Sequence, residues 1–154
     1  MQTRILASLV LGLFLCGCNA APAPPPFKPV ADVKQLMTTV IDPAADVIWA
    51  AVGVIDSEKG VEEHAPKTDE EWAVVRNSAY IMAESGNLMM MSPRAKDAGE
   101  WMKHSQALID AGIKTIRVTD ARDKDALFTV GGEVYEVCAN CHRAYLVTAE
   151  GTPR

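Results

Sequence analysis

The residues that carry the most chemistry in this 154-residue chain are Val137-Cys138-Ala139-Asn140-Cys141-His142, close to its C-terminus. Cys-x-x-Cys-His is the attachment pattern of a c-type haem. Two thiols with two residues between them stand at about the spacing of the haem vinyl groups, and add across them as thioethers. The histidine that follows lies beneath the iron and ligates it through an imidazole nitrogen. The pattern names one covalent cofactor, haem c, with Cys138 and Cys141 as anchors and His142 as proximal iron ligand. Two other chemistries use Cys-x-x-Cys. A structural zinc site needs four ligands, and after residue 20 the chain has no second Cys pair and no His-x-His cluster. A thioredoxin-like dithiol opens a helix in a βαβ setting, and the residues before Cys138 carry no strand–Gly/Pro–helix pattern.

Cys138, Cys141 and His142 are related by i, i+3 and i+4, which places them on one face of a helix. Leu127, Val130, Val134 and Tyr145 extend that periodicity, so the last helix starts near Asp120 to Asp123 and runs through the motif. Gly131-Gly132 either loosens it or gives a flat ligand room near the backbone. Three helical stretches precede it. The first runs from about Ala31 to Ile55, with a stripe through Leu36, Met37, Ile41, Ala44 and Ile48, and Pro43 predicts a kink near Thr39 to Asp42. Asp56 to Lys67 reads as a polar loop. The second starts at Thr68, where Thr68 and Glu71 have capping-box spacing, and stops around Ser85-Gly86-Asn87. The third runs from Ala95 to about Val118, weakened by Gly99 and Gly112. Four amphipathic helices joined by short or medium loops imply an all-α antiparallel four-helix bundle, with covalent haem on the C-terminal helix.

A haem motif within about fifteen residues of the end of an all-helical domain resembles class II cytochrome c, the cytochrome c-prime group. The resemblance covers roughly Val30 to Tyr145, and its one highly specific motif is Cys138-Ala139-Asn140-Cys141-His142. It implies that the first helix faces the distal side of the haem. Low-spin members place a Met there as sixth ligand. Met37, the only Met of the first helix, takes that place in Lys34-Gln35-Leu36-Met37; the alternatives are Met37 as core filler and, one residue off in register, Leu36 capping an open site. Lys34 stands where the family pattern has a basic residue near a propionate. His/Met iron suits a carrier of single electrons. High-spin members keep an apolar residue there and bind NO or CO at five-coordinate iron. Relatives often dimerise through their first two helices, so a homodimer stays open. The remaining candidates read as packing or surface: Met82 and Met102 as core, Met89-Met90-Met91 as helix-end packing or a partner patch, His64 as a solvated loop residue. His104 reads as a surface residue, with bis-His ligation as the minor alternative. Trp49, Trp72 and Trp101 read as core and pocket walls.

Residues 1–17 read as an export signal: Arg4, then an apolar run from Ile5 to Leu15 too short to span a bilayer. Leu15-Cys16-Gly17-Cys18 resembles the bacterial lipobox, with Cys18 as the lipidated N-terminus; cleavage near Ala20 or Ala21 is the alternative. Residues 18–30 then form a proline-rich spacer and residues 31–154 the cytochrome domain. The reading places the protein on the periplasmic side of a bacterial membrane, anchored by its lipid. Loss of residues 1–17 removes one Arg and no acid from a chain of net charge −5, leaving −6. That balance speaks against nucleic-acid partners; it fits basic patches on redox partner proteins and, equally, simple solubility. No carboxylate pair or nucleophile constellation argues for an enzyme.

Overall fold

Asp32 opens the first helical segment. Its Oδ1 accepts from the Gln35 N–H at 2.7 Å, and the Gln35 Oε1 accepts from the Asp32 N–H at 3.1 Å, a reciprocal cap. The computed structural model describes residues 27–146. The export signal, Cys16, Cys18 and most of the proline-rich spacer lie outside the described residues. So does the end of the domain beyond residue 146.

The segment is α1 (Val33–Leu36), a π turn (Met37–Ile41) and α2 (Asp42–Ala50) in direct succession. Pro43 explains the interruption. It has no N–H, and its ring crowds the carbonyl four residues back. The backbone answers by widening one turn: the Asp42 N–H reaches Met37 O, five residues back. Thr39 Oγ1 donates to Gln35 O at 2.6 Å and Thr38 Oγ1 to Lys34 O at 3.1 Å, so hydroxyls serve carbonyls on the same stretch. The interruption read from Pro43 is therefore a π turn.

The first helix stops at Ala50, short of Ile55. Gly53–Ser57 forms β1 and Gly60–His64 forms β2, an antiparallel hairpin in which Val54 pairs with Glu63 and Asp56 with Val61. Most of the segment read as a loop is thus strand. Gly60 at φ +112° makes the turn, a conformation that side chains resist. β-branched Val54, Ile55 and Val61 suit the strands. The described residues are otherwise mostly helical, which is the coarse form of the all-α expectation.

α3 (Asp69–Met90) starts at the Thr68 cap: Glu71 N–H donates to Thr68 Oγ1 at 3.2 Å, and Thr68 N–H to Glu71 Oε2 at 3.0 Å. It does not stop at Ser85-Gly86-Asn87. Gly86 lies inside the helix because α4 (Glu100–Ala121) crosses it closely. A Cβ there would stand 2.4 Å from Ile109 Cγ1 and 2.5 Å from Ser105 O. α4 begins later than Ala95, and Asp97 serves its open end by accepting from the Gly99 N–H at 2.7 Å and the Trp101 N–H at 3.2 Å. α5 (Lys124–Tyr145) follows α4 across a two-residue turn and is capped by Asp123. α3 and α4 run antiparallel, as do α4 and α5: Arg76 meets Asp120 at one end of the first pair, and Asp97 meets Tyr145 at one end of the second.

The core joins Leu36, Ile41 and Ile48 to Met82, Leu108, Leu127 and Val134. Each such side chain contributes about 1.5–3 kcal/mol by leaving water. α3 packs most extensively on α4, then α5 on α4 and α2 on α3. α2 meets α5 at few points. That thin seam lies along the helix carrying the motif.

Candidate functional site

Helical spacing turns Cys138, Cys141 and His142 to one side of the last two turns of α5, where all three are half-buried. They line one wall of a cleft with Val137. Met37 and Ile41 from the π turn, and Asp42 just after it, line a second wall. His104, Ser105 and Leu108 come from α4, and Met89 from the end of α3. The cleft holds a volume of about 30 Å³, near that of one water molecule.

The thiols are in a low-dielectric setting. Burial pushes Cys138 up to about 11, with the Asp42 carboxylate and Cys141 adding to the shift. Burial also raises Cys141. Nucleophilic and redox-active dithiols work through a lowered pKa, so this pair is built in the opposite direction. Burial disfavours the thiolate form at both positions. Among the described residues, no group of three or more His, Cys, Asp or Glu comes together to hold a metal ion.

Met37 is half-buried and faces this cleft. Lys34 lies on the exposed side of α1, outside the cleft lining. His104 is not a plain surface residue. It lines the cleft and sets its ring edge against Tyr145, with centroids 6.0 Å apart. Tyr145 closes the end of α5: its hydroxyl donates to Asp97 Oδ2, and its ring meets Trp101 edge-on at 5.0 Å. That hydrogen bond is the largest cause of a lowered Asp97 carboxyl and of a Tyr145 phenol pushed up to about 12.

Trp49 and His64 sit differently from what the sequence implies. Trp49 is partly exposed on the α2–α5 face, and its indole N–H donates to Gly131 O at 3.0 Å. Trp49 and Gly131 therefore serve the other end of the seam, away from the cleft. His64 is half-buried at the end of β2: its Nε2 lies 3.2 Å from Ala50 O, and its Nδ1 is buried without a partner. Met89 packs at the end of α3, as the three consecutive methionines imply, and from there it also enters the cleft wall. A helical phase carried forward from Trp72, Val75, Ala79 and Met82 points to Met89 once the helix is known to pass Gly86.

No protein-family profile, curated protein or solved structure matches this chain. Among the described residues, no helix is long and apolar enough to cross a membrane.

Proposed function

We propose that the protein is a monohaem c-type cytochrome of the class II kind that carries single electrons. Its helical segments would form an antiparallel four-helix bundle around the haem. The observation that carries the reading is the convergence of Cys138, Cys141 and His142 with Met37 across one cleft. The donor set fits the group: two neutral thiols for thioethers, an imidazole for one side of the iron and a thioether sulfur for the other. When bound, the haem supplies a one-electron couple at iron.

The residues divide the work. Cys138 and Cys141 would hold the haem covalently, and His142 would offer an imidazole nitrogen to the iron from the same helix, α5. Met37 would offer a thioether sulfur from a different element, so its contribution would depend on how the first segment sits. Ile41, Leu108 and Val137 exclude water. A flat macrocycle needs more room than 30 Å³, so α1 and the π turn must part from α5. The two sides meet there at few points, which makes this the least costly opening.

Cys18 would carry the lipid and hold the domain at the periplasmic face of a membrane. Lys34 would reach a propionate from the cleft's outer side. The surface charge of −6 after loss of residues 1–17 suits basic redox partners, and a homodimer is compatible with the exposed outer faces.

Co-expression with a c-type maturation system tests the reading. Covalent haem stain should survive denaturing electrophoresis and vanish in Cys138→Ser/Cys141→Ser. The ferrous protein should show sharp low-spin bands that persist under CO. A broad high-spin spectrum that CO converts readily would instead establish a five-coordinate, NO- and CO-binding protein. Cys18→Ser should move the holoprotein from the membrane to the soluble fraction with an unchanged spectrum.

A further inference from the structure

One feature of the cleft is not used by a His142/Met37 iron. Met89 is 2 % exposed, sits in the last turn of α3 and faces the same space as the haem motif. Its backbone is held from two directions. Met89 O accepts from the buried Trp101 indole N–H at 2.8 Å. Leu88 O accepts from Arg94 Nη1 at 3.2 Å, and Arg94 Nε donates to Ala31 O at 2.9 Å. Arg94 is itself buried, and its guanidinium lies where the carbonyl end of α3 favours a cation. One group thus ties the end of α3 to Ala31, the residue before the Asp32 cap of α1.

The two methionines on the cleft differ in how they are held. Met37 is half-buried at the start of a π turn that exists because of Pro43, on the segment with the thinner contact to α5. Met89 stands on a fixed turn of the most extensively packed helix pair. Buried Met is usually filler, and Met82 shows that role: it is fully buried and does not line the cleft. Met89 places a thioether side chain in the lining of the same cleft as Cys138, Cys141 and His142.

We propose that Met89 is a second thioether donor for the iron, taking the sixth position when Met37 is withdrawn. The inference rests on the haem reading above. Its test compares full-length holoproteins: wild type, Met37→Ala, Met89→Leu, Met37→Ala/Met89→Leu, and Met37→Ala/Met82→Leu as a control for losing a buried Met. Leucine keeps the apolar volume, so the cleft wall stays packed. Ferrous spectra are recorded with and without CO.

Met37→Ala should remain largely low-spin and resist CO, while Met37→Ala/Met89→Leu becomes high-spin and binds CO readily. Met37→Ala alone matching the double variant would overturn the inference. So would a double variant that stays low-spin, which would point to a third donor such as His104. An equal loss of low-spin character in Met37→Ala/Met82→Leu would make the effect one of packing and also overturn it. Covalent haem stain separates the two levels. Stained protein with the wrong spin response rejects Met89 alone, and no stain in any variant rejects the haem reading and this inference with it.

Discussion

At the scale of residues, the positions that matter most to the packing carry no side chain. Gly112 was read as a weak point of its helix. A Cβ there would lie 2.7 Å from Ala83 N and 2.8 Å from Ala83 Cα. Those are backbone atoms of α3, which cannot swing aside as a side-chain tip can. Gly112→Val should force the helices apart and cost about 1–3 kcal/mol. Gly132 is the natural contrast, since nothing lies within 4 Å of its added Cβ. Gly132→Ala should stabilise by about 0.5–1 kcal/mol through helix propensity. Thermal melts of both variants check the pair, and equal shifts would refute the close-approach account. The distinction was invisible in the sequence, where each glycine is only a helix-weakening letter. The Thr68–Glu71 cap was legible because both partners lie within one turn. Met89 was not, because three methionines in a row carry no phase of their own.

At the scale of elements, Pro43 was legible and its consequence only partly so. A proline inside an apolar stripe announces an interruption, but whether the chain kinks or widens is decided by neighbours. Here Thr38 and Thr39 supply hydroxyls to carbonyls in the preceding turn, and a π turn results. Pro43→Ala restores the missing N–H and removes the ring clash. The turn should revert to α, which rotates everything on its N-terminal side by about 100°, one residue of a helix with 3.6 per turn. Met37 would then leave the cleft. The ferrous spectrum of Pro43→Ala should then stay largely low-spin through Met89, whereas Pro43→Ala/Met89→Leu should lose its low-spin bands; a Pro43→Ala protein that is already high-spin would count against Met89. The hairpin was missed for a related reason: Val52 and Ile55 continue the spacing of the preceding helix, so periodicity favoured extension. The overlooked signal was Gly60 after the polar pair Glu58-Lys59, with β-branched residues on either side.

The joint between α4 and α5 is also an element-scale device, and it titrates. Asp97 accepts from Tyr145 and from the first amides of α4, which hold its carboxyl below the usual range. A lowered carboxylate contributes stability above its ordinary pKa of about 4, lost as pH falls through the lowered value. Tyr145, pushed up to about 12, contributes fully below its ordinary value of about 10 and loses that contribution as pH rises through about 12. Tyr145→Phe should therefore melt below wild type at neutral pH. The gap should narrow at both extremes, below about pH 4 and above about pH 10. A gap independent of pH would show that the Tyr145 ring against Trp101, rather than its hydroxyl, holds the joint.

At the scale of the molecule, the Cys138–His142 motif stands on the least packed seam. α3, α4 and α5 form successive extensive contacts, while the first segment is held mainly through α3 and meets α5 at few points. A bound haem, anchored on α5 by Cys138 and Cys141 and reached by Met37 from the opposite side, would fasten that seam. Local opening follows the distribution of packing, and a group that binds only the folded state suppresses it. In Cys138→Ser/Cys141→Ser, amide exchange should be fastest in residues 33–50 and slowest where α3 crosses α4 at Gly86 and Gly112. In the haem-bearing protein, exchange in residues 33–50 should slow by at least an order of magnitude. The α3–α4 crossing should change little, because it does not depend on the seam. Uniform slowing across all helices would mean that haem stabilises the fold as a single unit. The first segment would then not be the movable wall through which the cleft opens.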